Sequence, residues 1–220
     1  MRAAVVTFPG SNGDRDLARA FERASGERCA RVWHGERELP AVDVVGLPGG
    51  FSYGDYLRCG AIAARSPIMA AVRAFAEGGG RVVGICNGFQ VLCEAQLLPG
   101  ALVGNRSRRF VSRWLDVAVT NATSDFTRTL GAGDVLHLPV AHHDGAYTAE
   151  EDELDVLEGE GRVALRYMDN PNGSKRDIAG VLNARGNVLG LMPHPERAVG
   201  SELGGADGLA LFRSLLESLA

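Results

Sequence analysis

Residues 81–90, Arg-Val-Val-Gly-Ile-Cys-Asn-Gly-Phe-Gln, constrain this chain more than any other segment. An apolar strand runs through Gly-x-Cys-x-Gly straight into a helical pattern, with no loop between the two. Small residues two before and two after Cys86 permit a sharp strand-to-helix turn, which pushes that side chain out at the carboxyl end of a sheet. The same turn sets the thiol at a helix N-terminus, where the positive end of the dipole and free N–H groups favour thiolate. Cys86 is therefore read as a nucleophile, against the plainer alternative of a buried cysteine that closes a core strand.

The flanking sequence supplies the sheet that such a turn needs. Ala3 to Phe8 is a short apolar run ending at Pro9-Gly10. Leu17, Phe21 and Ala24 then recur at helical spacing, which predicts a helix over Asp14 to Ser25 stopped by Gly26. Strands are expected over Arg28 to Trp33, Val42 to Leu47 and Arg81 to Ile85, with helices over Pro67 to Glu77 and Phe89 to Leu97. That alternation predicts an α/β fold, a mostly parallel sheet flanked by helices. The second half changes character: strands at Trp114 to Thr120, Asp134 to Val140 and Arg162 to Tyr167 are separated by polar turns. A hairpin follows over Ile178 to Leu182 and Val188 to Met192, then a helix over Asp207 to Leu219. No linker or repeat divides the chain, so one domain over residues 1–220 is expected.

A cysteine nucleophile in acyl transfer needs a base held in place by a third group. In Met192-Pro193-His194-Pro195-Glu196-Arg197 the residue before Pro195 is pushed towards an extended conformation. Residues two apart in an extended segment share a face, which puts His194 and Glu196 on the same side. Glu196 would orient one imidazole nitrogen and leave the other for Cys86. An oxyanion hole would come from backbone N–H groups of Gly49, Gly50 or Phe51, in the loop after a parallel strand, together with that of Asn87. Tyr53 and Gln90 are the candidates for holding a substrate. His137, His142, His143 and Asp144 lie within eight residues but lack the partner spacing of a zinc site, so no metal is expected.

Composition narrows the chemistry. Lys175 is the sole lysine among 23 basic residues, in a context unlike the Gly-x-x-x-x-Gly-Lys of a phosphate-binding loop. Any ATP-driven chemistry is thus expected on another chain. A net charge of −4 gives no electrostatic reason to seek nucleic acid or an anionic membrane. No apolar run approaches the ~20 residues of a membrane helix, and no signal sequence is apparent, so a cytoplasmic protein is expected. Cys29, Cys59 and Cys93 are read as reduced packing residues.

Several segments together resemble the glutaminase subunits of phosphoribosylformylglycinamidine synthase, a branch of the class I glutamine amidotransferases. They are Pro9-Gly10-Ser11-Asn12, Gly49 to Arg58, Gly84 to Gln90, Asp169 to Ser174, Gly186 to Gly190 and Met192 to Arg197. The resemblance spans nearly the whole chain, and the Phe51 to Arg58 block points to this branch. It implies a flavodoxin-like fold with hairpins added in the C-terminal half, and a catalytic triad of Cys86, His194 and Glu196. It also implies L-glutamine as substrate and no cofactor in this chain. ATP and Mg would sit on a synthetase partner in purine synthesis, with a small accessory subunit completing the assembly. Two departures stand out: His142-His143-Asp144-Gly145 where the family would give His-Gly-Glu-Gly, and Gly13 where a cysteine is common. Rival readings are a glutaminase serving another synthetase, a cysteine amidohydrolase acting on a different amide, or a non-catalytic scaffold that senses a ligand.

Overall fold

The computed structural model describes residues 1–219, one fewer than the expected domain, whose residue 220 lies outside the described range. The first half forms β1 (Ala3–Thr7), α1 (Asp14–Ser25), β2 (Ala30–Trp33), β3 (Val44–Leu47), α2 (Ile68–Glu77), β4 (Arg81–Ile85) and α3 (Asn87–Glu94). The second half adds β5 (Ala101–Val103), β6 (Val111–Val119), β7 (Val135–His142), β8 (Ala146–Thr148) and α4 (Glu151–Gly159). It ends with β9 (Val163–Tyr167), β10 (Ile178–Leu182), β11 (Val188–Leu191) and α5 (Leu209–Glu217).

Nine strands make one sheet in the order β2-β1-β3-β4-β11-β10-β9-β6-β7, while β5 and β8 pair separately. The half β2-β1-β3-β4-β11 is parallel, and β10, β9, β6 and β7 continue it antiparallel. The added hairpins therefore extend the parallel sheet instead of forming a layer of their own. β1, β3, β4 and β11 are buried almost throughout, as expected of strands covered on both faces. β7 alternates buried and open positions, as a strand with one open face should.

Glycines set how closely the helices approach. A Cβ on Gly46 would meet Leu17 and Phe21 of α1, whereas one on Gly84 would meet Leu92 of α3. Gly84 is registered opposite Leu47, so Gly46 faces the other way and α1 and α3 lie on opposite sides of the sheet. α1 buries Leu17, Ala18, Ala20 and Phe21, and Phe21 meets Phe212 of α5 edge-on at 5.4 Å between ring centroids. Each such Leu or Phe contributes about 1.5–3 kcal/mol by burial. Gly26 ends α1 in a left-handed cap, its N–H donating to Glu22 O.

Three details differ from the sequence reading. α3 begins at Asn87, immediately after Cys86, not at Phe89, because the turn itself supplies the first helical residue. α4 lies where polar turns were expected: only Leu154 and Leu157 of this helix are buried, too sparse a stripe to signal a helix. The short pair β5 and β8 was also not foreseen. Among the described residues no helix is long and apolar enough to cross a membrane.

Candidate active site

Cys86 stands where β4 ends, its N–H still bonded to Leu191 O of β11 at 2.8 Å. Its backbone is then forced to φ 52°, ψ −106°, a conformation that costs a non-glycine residue roughly 1–3 kcal/mol. The chain can hold it because the sheet fixes one side and α3 the other. Gly88 lets α3 sit directly on β3: a Cβ there would come 2.1 Å from Leu47 O. Cys86 is 6% exposed and its Sγ lies 3.7 Å from Ala141 O at the end of β7.

His194 follows β11, the neighbour of β4, so adjacent strands deliver both residues to one edge of the sheet. Its N–H donates to Pro139 O at 2.8 Å, and its Nδ1 lies 2.7 Å from Glu196 Oε1. Both residues are 1% exposed. Pro195 opens a short 3-10 turn that brings Glu196 back onto the ring, a tighter geometry than the extended segment read from the sequence. Nε2 of His194 and Oε2 of Glu196 are buried without a hydrogen bond among the described residues. Unpaired buried polar atoms are rare in folded proteins, and they concentrate where a reacting group is to be met. Burial pulls the His194 pKa down, but Glu196 and Cys86 close by outweigh it and raise the imidazole to about 9.

The third wall is the loop after β3. A Cβ on Gly49 would lie 2.8 Å from His194 Cε1 and 3.6 Å from Cys86 Cβ, so the bare backbone of this glycine faces both side chains. Gly50 adopts φ +149° with its Cα against Gly10, Ser11 and Asn12, where any Cβ would be 2.8 Å from their backbone. The Pro9 to Asn12 segment is thus a clamp: Asn12 and Gly13 N–H groups both donate to Gly49 O. The N–H groups of Gly49, Gly50 and Asn87 find no acceptor among the described residues. Phe51 departs from expectation, since its N–H already donates to Gly10 O at 3.0 Å and is not free for an oxyanion.

The two expected substrate contacts are otherwise engaged. Tyr53 turns its hydroxyl to His34 Nδ1 at 2.9 Å and Ser66 Oγ at 3.2 Å, which anchors the loop to the body of the fold. Gln90 accepts from Asn87 Nδ2 at 2.8 Å and donates to Asp144 O at 2.6 Å, tying α3 to the 142–145 turn. In this arrangement both side chains shape the walls of the site, through partners that include residues distant in sequence.

The 142–145 turn holds what the sequence reading missed. His142 is buried with Nδ1 3.1 Å from Asn105 Oδ1 and Nε2 3.5 Å from Asn172 Nδ2. Asn105 also accepts from Gly145 N–H, and Asn172 donates to Gly145 O. Burial, and His194 nearby, push the His142 pKa down to about 4. Asp144 accepts from Cys59 Sγ–H at 3.3 Å, and Asp55, near Asn87, has its pKa raised by burial. The sequence signals for this cluster were the His142-His143-Asp144-Gly145 departure and the Asp169 to Ser174 segment, which supplies Asn172. His137 lies elsewhere, paired with Asp116, and no three His, Cys, Asp or Glu side chains among the described residues converge as a metal site.

Comparison with known proteins identifies the family. The family model of a CobB/CobQ-like glutamine amidotransferase domain matches residues 1–203. A curated protein of Cereibacter sphaeroides, phosphoribosylformylglycinamidine synthase subunit PurQ, is 62% identical over 221 residues, covering all of this chain and 99% of that protein. The protein of the same name from Rhizobium meliloti is 56% identical, with both chains covered in full. Among solved structures, that of PurLQS from Thermotoga maritima matches with a TM-score of 0.90 and 45% identity, covering 100% of this chain and 99% of that one.

Proposed function

Because the chain belongs to the family of glutamine-hydrolysing PurQ subunits of phosphoribosylformylglycinamidine synthase, we propose that its active site is built on Cys86, His194 and Glu196. As a glutamine amidotransferase of purine biosynthesis, the chain works as one subunit of a synthetase complex. The observation that carries the site is the strained Cys86 at the start of α3, facing the buried His194–Glu196 pair across the bare backbone of Gly49.

In this reading the Cys86 thiolate attacks the side-chain amide carbon of L-glutamine, and the carbonyl π electrons move to oxygen. The N–H groups of Gly49, Gly50 and Asn87 hold that oxyanion; loss of one such donor typically costs about 10²- to 10³-fold in rate. His194, protonated on both nitrogens, gives its Nε2 proton to the leaving nitrogen. The C–N bond breaks and ammonia departs, leaving a Cys86 thioester. Neutral His194 then takes a proton from water, whose oxygen adds to the thioester. Collapse of that adduct releases glutamate and restores the thiolate beside an imidazolium. Glu196 fixes the ring and stabilises its charged form throughout.

The finer assignments rest on composition, on the family resemblance and on the fold. ATP and Mg belong on the synthetase partner, since the single lysine forms no phosphate-binding loop. A small accessory subunit completes the complex, and the reaction takes place in the cytoplasm. Residues 1–220 act as one amidotransferase domain, supported by the sheet that takes strands from both halves. Treatment with an electrophilic glutamine analogue followed by peptide mass spectrometry tests the nucleophile. The adduct is expected on Cys86; an adduct on Cys59 or Cys93 with Cys86 unmodified would sink the mechanism.

A further inference from the structure

The turn between β5 and β6 carries Arg106, Ser107, Arg108, Arg109 and Phe110, and all five are exposed. None of these arginines meets a carboxylate among the described residues, whereas Arg2, Arg58, Arg81, Arg113, Arg166 and Arg176 each form an ion pair. Three guanidinium groups within four residues repel one another, and in a chain of net charge −4 they form a local patch of opposite sign.

The patch is held from below, not left loose. Asn105 is buried, its N–H donating to His143 O at 2.8 Å and its Nδ2 to Arg109 O at 2.8 Å. Arg106 N–H donates to Asn172 O, and Arg108 is fixed at φ 54° with its N–H on Asn105 O. The same Asn105 side chain holds His142, whose neighbour Ala141 presents its carbonyl to Cys86. The arginine turn is thus rooted in the wall of the active site. In the loop that leads to Cys59, whose thiol donates to Asp144, Phe51, Tyr56 and Leu57 are 47%, 87% and 69% exposed. Exposed aromatic residues and arginines are the composition of a protein interface.

We propose that the Arg106–Phe110 turn docks onto an acidic surface of the synthetase subunit, beside the site that releases ammonia. This rests on the partner given under Proposed function. Exposure of all five residues of the turn fits a macromolecular surface better than a pocket for the substrate carboxylate. Opposed charges would speed encounter and fix the orientation in which the two active sites face each other. It follows that association is sensitive to salt through these residues.

The test measures binding of the full chain to the synthetase subunit by titration calorimetry between 50 and ~300 mM salt, for wild type, R108E/R109E and R108Q/R109Q. The expected result is at least about tenfold weaker binding for the charge reversal, a smaller loss for the neutral variant, and a flatter salt dependence in both. Thermal melts and Cys86 labelling equal to wild type show that the variants fold. Wild-type affinity and salt dependence in R108E/R109E would overturn the proposal. A raised KM for glutamine with unchanged binding would likewise overturn it and assign the turn to the substrate. Failure of the wild-type chain to bind the synthetase would overturn the partner reading itself, and this proposal with it.

Discussion

His194 and His142 are buried within one site, yet their surroundings drive their protonation in opposite directions. Glu196 stands on the first, and only asparagine amides stand on the second. A raised His194 pKa means that its contribution to stability is fully present below the ordinary value of 6.5 and is lost as pH rises through about 9. Substitution of Glu196→Gln removes the carboxylate, so NMR titration of the His194 ring is expected to show its pKa well below 9, with glutaminase activity reduced about 10²- to 10⁴-fold. A ring that titrates as in wild type would contradict the triad. For His142 the sign reverses: its contribution is present above 6.5 and is lost as pH falls towards about 4. His142→Phe leaves the amides of Asn105 and Asn172 short of a partner and is expected to cost about 1–3 kcal/mol at neutral pH. The gap between variant and wild type should narrow from pH 6.5 to 4 in denaturant titrations; a gap independent of pH would show that His142 is not held neutral. The sharp turn at Cys86 and the pairing of His194 with Glu196 were legible because each lies in a short segment, although the backbone at Pro195 is a 3-10 turn where an extended one was read. Tyr53, Gln90 and His142 were not, because what their polar atoms touch is fixed by His34, Asp144, Asn105 and Asn172, which only the folded chain brings near.

At the scale of elements, the site depends on how closely three pieces of backbone approach one another. Two glycines separate catalysis from stability. Gly49→Ala would place a methyl 2.8 Å from His194 Cε1 and is expected to displace the ring, lowering kcat by roughly 10²-fold with little change in Tm. Gly88→Ala would drive its methyl to 2.1 Å from Leu47 O and push α3 from β3, with an expected loss of about 1–3 kcal/mol and a lower Tm. Kinetics and thermal melts on the pair should give opposite profiles, and a common profile would refute this division. Elements with a full apolar stripe or run, such as α1, β3 and β4, were legible with ends misplaced by no more than a few residues. α4 was not, since two buried leucines among acidic residues look like a polar turn until the sheet beneath them exists.

At the scale of the molecule, strands from both halves share one sheet, so Cys86 and His194 meet by the adjacency of β4 and β11. Alternation of strand and helix made the parallel half legible. That the later hairpins would extend the same sheet was not, because pairing between distant strands leaves no local trace. Cys86, His194 and Glu196 gathered at one edge of that sheet fit the glutamine-hydrolysing subunit of a synthetase complex. Isolated, the chain is expected to hydrolyse glutamine weakly and to gain activity on adding the synthetase, because partner contacts complete and close such sites. Full activity alone would contradict that dependence.

The most direct measurement is product formation by the assembled complex carrying Cys86→Ala in this chain, with either glutamine or ammonium as nitrogen donor. Turnover is predicted to be lost with glutamine and kept with ammonium; retention of glutamine-dependent turnover, or loss of both, would contradict the account.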